Sequence, residues 1–271
     1  MPDLLTRIER YCDMVPRSFG ARAEEIGPLT LFVYDGGPWP LYARPSLGAD
    51  GVAPTQVADV RRRMRELGVP ESFEWVDQVT PGLRGAALAA GLAVSDHPLL
   101  ALTEVVAAPA VDAEVRAVGP DDDLAAVLAS AHLGFASRGT AVGPVGLGEL
   151  VQAAGEQSRE RIESERDGLR SRSASRFAAW VNGSPVCTGR YTPLARVAEI
   201  VGVGTLPAYR RRGLAGAVTA ALTAHALAAG VEIVFMSADD EDVARIYRRL
   251  GFADCGTACI AAPAHPGAAV S

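Results

Sequence analysis

The residues in this chain best suited to chemistry lie between Val197 and Ala221, VAEIVGVGTLPAYRRRGLAGAVTAA. An apolar run with strand character stops at Pro207, and Arg210-Arg211-Arg212-Gly213-Leu214-Ala215-Gly216 then opens a long Ala/Leu-rich helix. The first N–H groups of a helix have no intrahelical acceptor, and together with the helix dipole they favour an anion. Glycines there let a diphosphate reach the backbone with no Cβ in the way. Arginines alongside can add charge-assisted hydrogen bonds to phosphate oxygens.

A second stretch follows one strand-and-helix unit later. Val231 to Ser237 reads as a buried strand and Asp239 to Asp242 as an acidic turn, followed by Val243 to Phe252, in which Tyr247 precedes Leu250-Gly251-Phe252. The Arg-x-x-Gly-x-Ala spacing three residues after the strand-ending proline, followed in this order by Tyr and Leu-Gly-Phe, resembles the GCN5-related N-acetyltransferases, the GNAT family. These enzymes transfer acetyl from acetyl-CoA to amines.

The resemblance implies an α/β fold: a GNAT-like mixed, mostly antiparallel central sheet flanked by helices. It implies acetyl-CoA as cosubstrate, with no metal. The CoA diphosphate would rest on backbone N–H groups from Arg211, Arg212, Gly213, Leu214, Ala215 and Gly216, with Arg210 and its neighbours near the phosphates. Backbone groups of Val203, Gly204 and Thr205 would face the pantetheine arm and thioester. Gly202 and Gly204 in one strand suggest a bulge or a close backbone approach, since glycine otherwise weakens a strand.

Amine attack on a thioester needs a deprotonated nucleophile, an oxyanion donor and an acid for the departing thiolate. Tyr247 matches the family's acid, the alternative being a packing aromatic between helix and sheet. Glu199 is the candidate base, directly or through water, the alternative being a solvated edge carboxylate. Many relatives carry an asparagine at the turn where this chain has Asp239, Asp240, Glu241 and Asp242; here Asp239 and Asp242 read as helix caps, with attraction of a cationic amine as the lesser alternative. His132 falls among the family's variable acceptor-binding helices and reads as an acceptor contact or a structural histidine. His225 is expected exposed on its Ala-rich helix.

Element patterns divide the chain near Ala107 to Asp112, giving an N-terminal α/β domain over 1–110, a catalytic acetyl-CoA-binding domain over 111–262 and a flexible tail over 263–271. The C-terminal half begins with a strand at Ala113 to Val118 and a helix to His132 capped by Asp121 to Asp123. A glycine-rich loop from Gly134 to Gly148 and a charged helical region from Leu147 to Arg172 follow. Asn182-Gly183 between apolar runs is a hairpin signal. In the N-terminal half, helices are expected at Leu4–Met14, Thr55–Leu67 and Gly82–Ala90, with strands at Leu29–Tyr34 and Ser72–Val76. This half lacks an Arg-x-x-Gly-x-Gly/Ala loop and reads as a degenerate acetyltransferase-like copy or as an unrelated α/β domain.

Composition sets the outer bounds. With 49% hydrophobic residues in 271 positions the chain can bury a substantial core, as two domains by size. A net charge of −6 argues against a nucleic-acid-binding surface. All 26 basic residues are arginine, which reads as coding bias and carries no binding signal. No stretch approaches the roughly 18 apolar residues of a membrane span, and the charged N-terminus is no secretory leader. Four scattered cysteines, Cys12, Cys187, Cys255 and Cys259, suit a reducing compartment, and the cytoplasm is expected. The partners expected are acetyl-CoA and an amine acceptor, small molecule or protein. A non-catalytic CoA-binding module and an acyltransferase using another acyl-CoA are the competing readings.

Overall fold

A computed structural model describes residues 4–34, 42–49, 51–137, 139–171 and 175–264. Most of the tail expected from 263 onward therefore lies outside the described residues. In chain order the elements are α1 (Leu4–Ser18), β1 (Arg22–Ile26), β2 (Leu29–Val33), β3 (Ala43–Pro45), α2 (Pro54–Leu67), β4 (Phe73–Val76), α3 (Gly82–Ala89), β5 (Ala93–Leu102), β6 (Glu114–Ala117), α4 (Leu124–Ala136), α5 (Leu147–Gly155), α6 (Arg159–Ser171), β7 (Ser175–Val181), β8 (Ser184–Leu194), β9 (Val197–Thr205), a 3₁₀ turn (Pro207–Tyr209), α7 (Leu214–Ala228), β10 (Ile233–Ser237), α8 (Glu241–Arg248) and β11 (Phe252–Ala262).

Two compact units result: residues 1–99 with 255–271, and residues 100–254. The divide falls at Leu99/Leu100, upstream of the Ala107–Asp112 stretch where the sequence pattern changes. Residues 255–264 return to the first unit because β11 pairs with β4 there, Cys259 against Trp75 and Ala261 against Phe73. The first unit's sheet runs β1-β2-β3-β4-β11. Its core joins Leu29, Leu31, Val57, Met64, Phe73 and Trp75 to Cys259 and Ala261.

In the second unit the strand order is β10-β9-β8-β7-β6. The β7–β8 hairpin turns through Asn182 and Gly183, both at positive φ (49° and 77°), as the Asn-Gly pair predicts. Helix α7 packs on β7, β8 and β9, while α4 also packs on β8 and β9. Val218 and Leu222 of α7 join Val186, Tyr191, Ile200, Val234 and Met236 in the core. The charged helical region from Leu147 onward consists of two helices; Gly155 ends α5, and the Ser158 hydroxyl accepts the Arg161 N–H at 3.3 Å to start α6. Both units are mixed α/β with mostly antiparallel pairing, the fold class expected.

Candidate active site

Strand β9 runs parallel to β10 for three residue pairs, Val197–Ile233, Ala198–Val234 and Glu199–Phe235. Among the described residues the pairing ends there, although β9 continues to Thr205 and β10 to Ser237. Beyond Glu199, β9 keeps a ladder only with β8, so alternate N–H and C=O groups on its other edge are left without a strand partner.

A bulge bends β9 over that same span. Thr188 pairs with Gly204, whereas Arg190 pairs with Val201, so Gly202 and Val203 together oppose Gly189. Gly202 holds φ +68°, a conformation that glycine adopts without strain. Gly204 meets the other expectation, close backbone approach: a Cβ there would lie 3.3 Å from the Ala131 carbonyl, and one on Gly134 would lie 3.0 Å from the Gly204 Cα. Helix α4 therefore crosses the end of β9 backbone to backbone. The Phe135 ring, 58% exposed, rests 3.4 Å from the Gly204 Cβ position.

Past the 3₁₀ turn the chain enters α7 through Gly213, at φ +77°, a cap with no side chain to satisfy the helix N–H groups. The N–H of Ala217 bonds the Gly213 carbonyl at 3.0 Å, so those of Leu214, Ala215 and Gly216 precede the first helical bond. Arg211 and Arg212 are exposed beside this end, with the Arg212 guanidinium stacked 4.8 Å over the Tyr209 ring. Arg210 is different. Its guanidinium donates to the carbonyls of Gly134 (2.9 Å), Ser137 (2.6 Å), Ala141 (3.2 Å) and Thr205 (3.3 Å). Partial burial lowers its pKa.

Tyr247 is 6% exposed, in edge contact with Phe252 at 6.4 Å. Burial, and then the neighbouring Cys187 thiol, push its hydroxyl well above the ordinary tyrosine range. Cys187 is itself pushed up to about 12 by burial and accepts a hydrogen bond from the Thr205 hydroxyl at 3.2 Å. Tyr247, Cys187 and Thr205 thus gather a protonated phenol and a neutral thiol at the far end of β9. The bulge keeps Glu199 and Gly204 on one face of β9, the face α4 covers, while Ala198 and Ile200 face the core. Glu199 stands at the last parallel pair, on the rim where the strands part.

The acidic turn is structural. Asp240, and neither Asp239 nor Asp242, caps α8 by accepting the Val243 N–H at 2.8 Å. Asp242 pairs with Arg245 at 2.7 Å, and Arg248 joins Glu241 to Asp254. His132 is exposed on α4. His225, exposed as expected, also bonds the buried Tyr191 hydroxyl through Nδ1 at 2.7 Å, a pairing no sequence spacing indicated. Among the described residues no group of His, Cys, Asp and Glu is arranged to hold a metal ion.

The first unit repeats a strand–helix–strand–helix–strand order with β3 parallel to β4 at Ala43–Phe73. Its helix start is closed, because α2 begins with Pro54, which has no N–H. Gln56 Oε1 takes the Ala53 N–H at 2.8 Å. On β3, Arg44 is buried and paired with Glu9 at 2.9 Å, and Glu9 also accepts the Val76 N–H at 2.9 Å.

Residues 148–252 match the family model described as the Acetyltransferase (GNAT) family. They form a GNAT domain. The fold is similar to that of a GCN5-related N-acetyltransferase from Kribbella flavida, 24% identical with TM-score 0.70 over 99% of this chain and 98% of that one. It is also similar to a GCN5-related N-acetyltransferase from Sphaerobacter thermophilus, 16% identical, TM-score 0.61, over 86% and 76%. A tandem GNAT protein from the clavulanic acid biosynthesis pathway aligns at 17% identity and TM-score 0.56 over 89% and 79%. No curated protein matches the chain. The GNAT domain covers the parted strands, the glycine-capped helix and Tyr247, and it stops at Phe252 of the Leu-Gly-Phe triplet.

Proposed function

We propose that the chain transfers an acetyl group from acetyl-CoA to a primary amine of a small molecule or protein, by direct attack within a ternary complex. The observation that carries this reading is the parting of β9 from β10 beside the uncapped start of α7. The catalytic part corresponds to 111–262, the first 110 residues to a degenerate copy, and the compartment to the cytoplasm, in keeping with four free cysteines.

Acetyl-CoA fits these residues. The N–H groups of Arg211 to Gly216 receive the diphosphate at the positive end of α7, with Arg211 and Arg212 adding charge. The open edge of Val203, Gly204 and Thr205 takes the pantetheine amides. When bound, the thioester supplies an acyl carbon that an amine can attack. A free alkylamine has a pKa of about 10.4 and arrives as ammonium, so Glu199 on the rim accepts its proton, directly or through water. The new C–N bond forms as the C–S bond breaks; the Tyr247 hydroxyl gives its proton to the departing sulfur and regains one from the second proton that the nitrogen sheds on becoming an amide. Its raised pKa keeps that donor protonated across neutral pH.

The test is thiol release from acetyl-CoA across a panel of primary amines and acyl-CoA donors. Release that requires both the amine and the acetyl donor is expected; release with neither added amine nor acetyl preference would refute the reading.

A further inference from the structure

Arg210 opens the phosphate-loop sequence, but its side chain leads elsewhere. Three of its four acceptors, the carbonyls of Gly134, Ser137 and Ala141, belong to the end of α4 and the segment after it; the fourth, Thr205, ends β9. A helix leaves its last carbonyls without intrahelical donors and carries partial negative charge there, so a guanidinium is well matched to that end of α4. The same segment is tied down further along by main chain. The Gly143 N–H donates to the Pro207 carbonyl at 3.2 Å, and the Ala208 N–H donates to the Val145 carbonyl at 2.9 Å. Gly143 and Gly146 lie close against this turn: a Cβ on Gly143 would come within 3.1 Å of the Pro207 Cβ, and one on Gly146 within 3.4 Å of the Ala208 Cβ. The stretch from α4 to α5 is thereby fastened to residues 205–210, the link between the cofactor strand and the phosphate loop. It carries the exposed apolar side chains Phe135 and Val142, the first resting against Gly204.

We infer that Arg210 is a positioning residue and not a phosphate ligand: it clasps the segment between α4 and α5 to the end of β9, so that filling the phosphate loop orders that segment. The inference rests on the proposed acetyl-CoA site for its second half only. The clasp itself does not depend on a ligand.

The test is amide hydrogen exchange of residues 139–146 in the full chain, with and without acetyl-CoA, alongside calorimetric titration of acetyl-CoA. In Arg210→Gln, exchange of this segment should quicken about tenfold, acetyl-CoA should lose its protecting effect there, and its Kd should stay within about twofold of the parent. Arg210→Lys keeps a charge with three donors and should restore part of the protection. It also carries the test if the Gln variant loses protection throughout α7 and so proves unfolded. An acetyl-CoA Kd weakened about tenfold or more with segment exchange unchanged would overturn the inference and make Arg210 a phosphate ligand; so would no change in either quantity. A parent protein that does not bind acetyl-CoA would refute the proposed function, while ligand-free exchange would still decide the clasp.

Discussion

Replacing Gly251 by alanine should cost far more than an ordinary glycine substitution, for a reason visible in its surroundings. Gly251 holds φ +88°, and a Cβ built there would lie 1.9 Å from the Glu104 carbonyl oxygen and 2.8 Å from its carbon. The obstacle is backbone, which cannot swing aside like a flexible side chain. The Gly251 carbonyl also accepts the Thr103 N–H at 2.9 Å, the Glu104 N–H at 3.1 Å and the Thr103 hydroxyl at 3.0 Å. Left-handed backbone costs a non-glycine residue about 1 kcal/mol. Displacing residues 103–104 by more than an ångström then weakens two or three hydrogen bonds worth about 1 kcal/mol each. The sum is about 3–4 kcal/mol, or about 10 °C in Tm for a protein of this size. Gly68 provides the control, since it holds φ +66° with nothing within 4 Å; alanine there should cost only about 1 kcal/mol. Urea unfolding of both variants beside the parent measures the difference. Equal losses, each near about 1 kcal/mol, would refute the reasoning that backbone contact fixes this glycine.

Tyr247→Phe should lower kcat about a hundredfold while sparing the acetyl-CoA Kd; an unchanged rate across pH in stopped thiol-release assays would remove the acid role. Glu9→Leu takes from the buried Arg44 its 2.9 Å partner, leaving it Glu74 at 3.9 Å, and should destabilise by about 3 kcal/mol, with Glu9→Leu/Arg44→Met recovering most of it; denaturant midpoints that fail to separate single from double replacement would contradict the pairing. Glu24 is held by Arg63 at 2.7 Å, and that bond, opposed by burial, takes its carboxyl from 4.5 to about 2. The folded-state pKa is depressed, so the stabilisation is fully present above 4.5 and fades as pH falls toward about 2. Glu24→Gln should flatten that part of the stability–pH curve, and a curve superimposable on the parent's would show that Glu24 contributes nothing to it.

Much of the second unit was legible because its signals are local. Asn182-Gly183 specifies a hairpin by its own φ preferences, and Arg-x-x-Gly-x-Ala after a proline marks a strand giving way to a helix. What stayed hidden depends on partners distant in sequence. Strand β1, Arg-Ala-Glu-Glu-Ile, alternates no apolar residues, and it forms because Arg17 and Arg63 neutralise Glu25 and Glu24 while β2 supplies its ladder. The break after α5 did have a signal, Gly155 followed by a capping serine, masked by the run of charged residues. By its neighbours Arg210 reads as standing near the phosphates; the fold also brings the carbonyls of Gly134, Ser137 and Ala141 within its reach, which no spacing indicates. The Glu9–Arg44 pair joins residues from a helix and a short strand, and no spacing rule connects them.

The most direct test of an acetyl-CoA site at the start of α7 is calorimetric titration of acetyl-CoA into the parent and into Gly213→Glu. The glutamate would set a negative side chain at a left-handed cap position, where the diphosphate is proposed to rest. Saturable binding by the parent, weakened at least about a hundredfold in the variant, is the result expected. Equal affinity in both proteins, or no binding by the parent, would contradict the site.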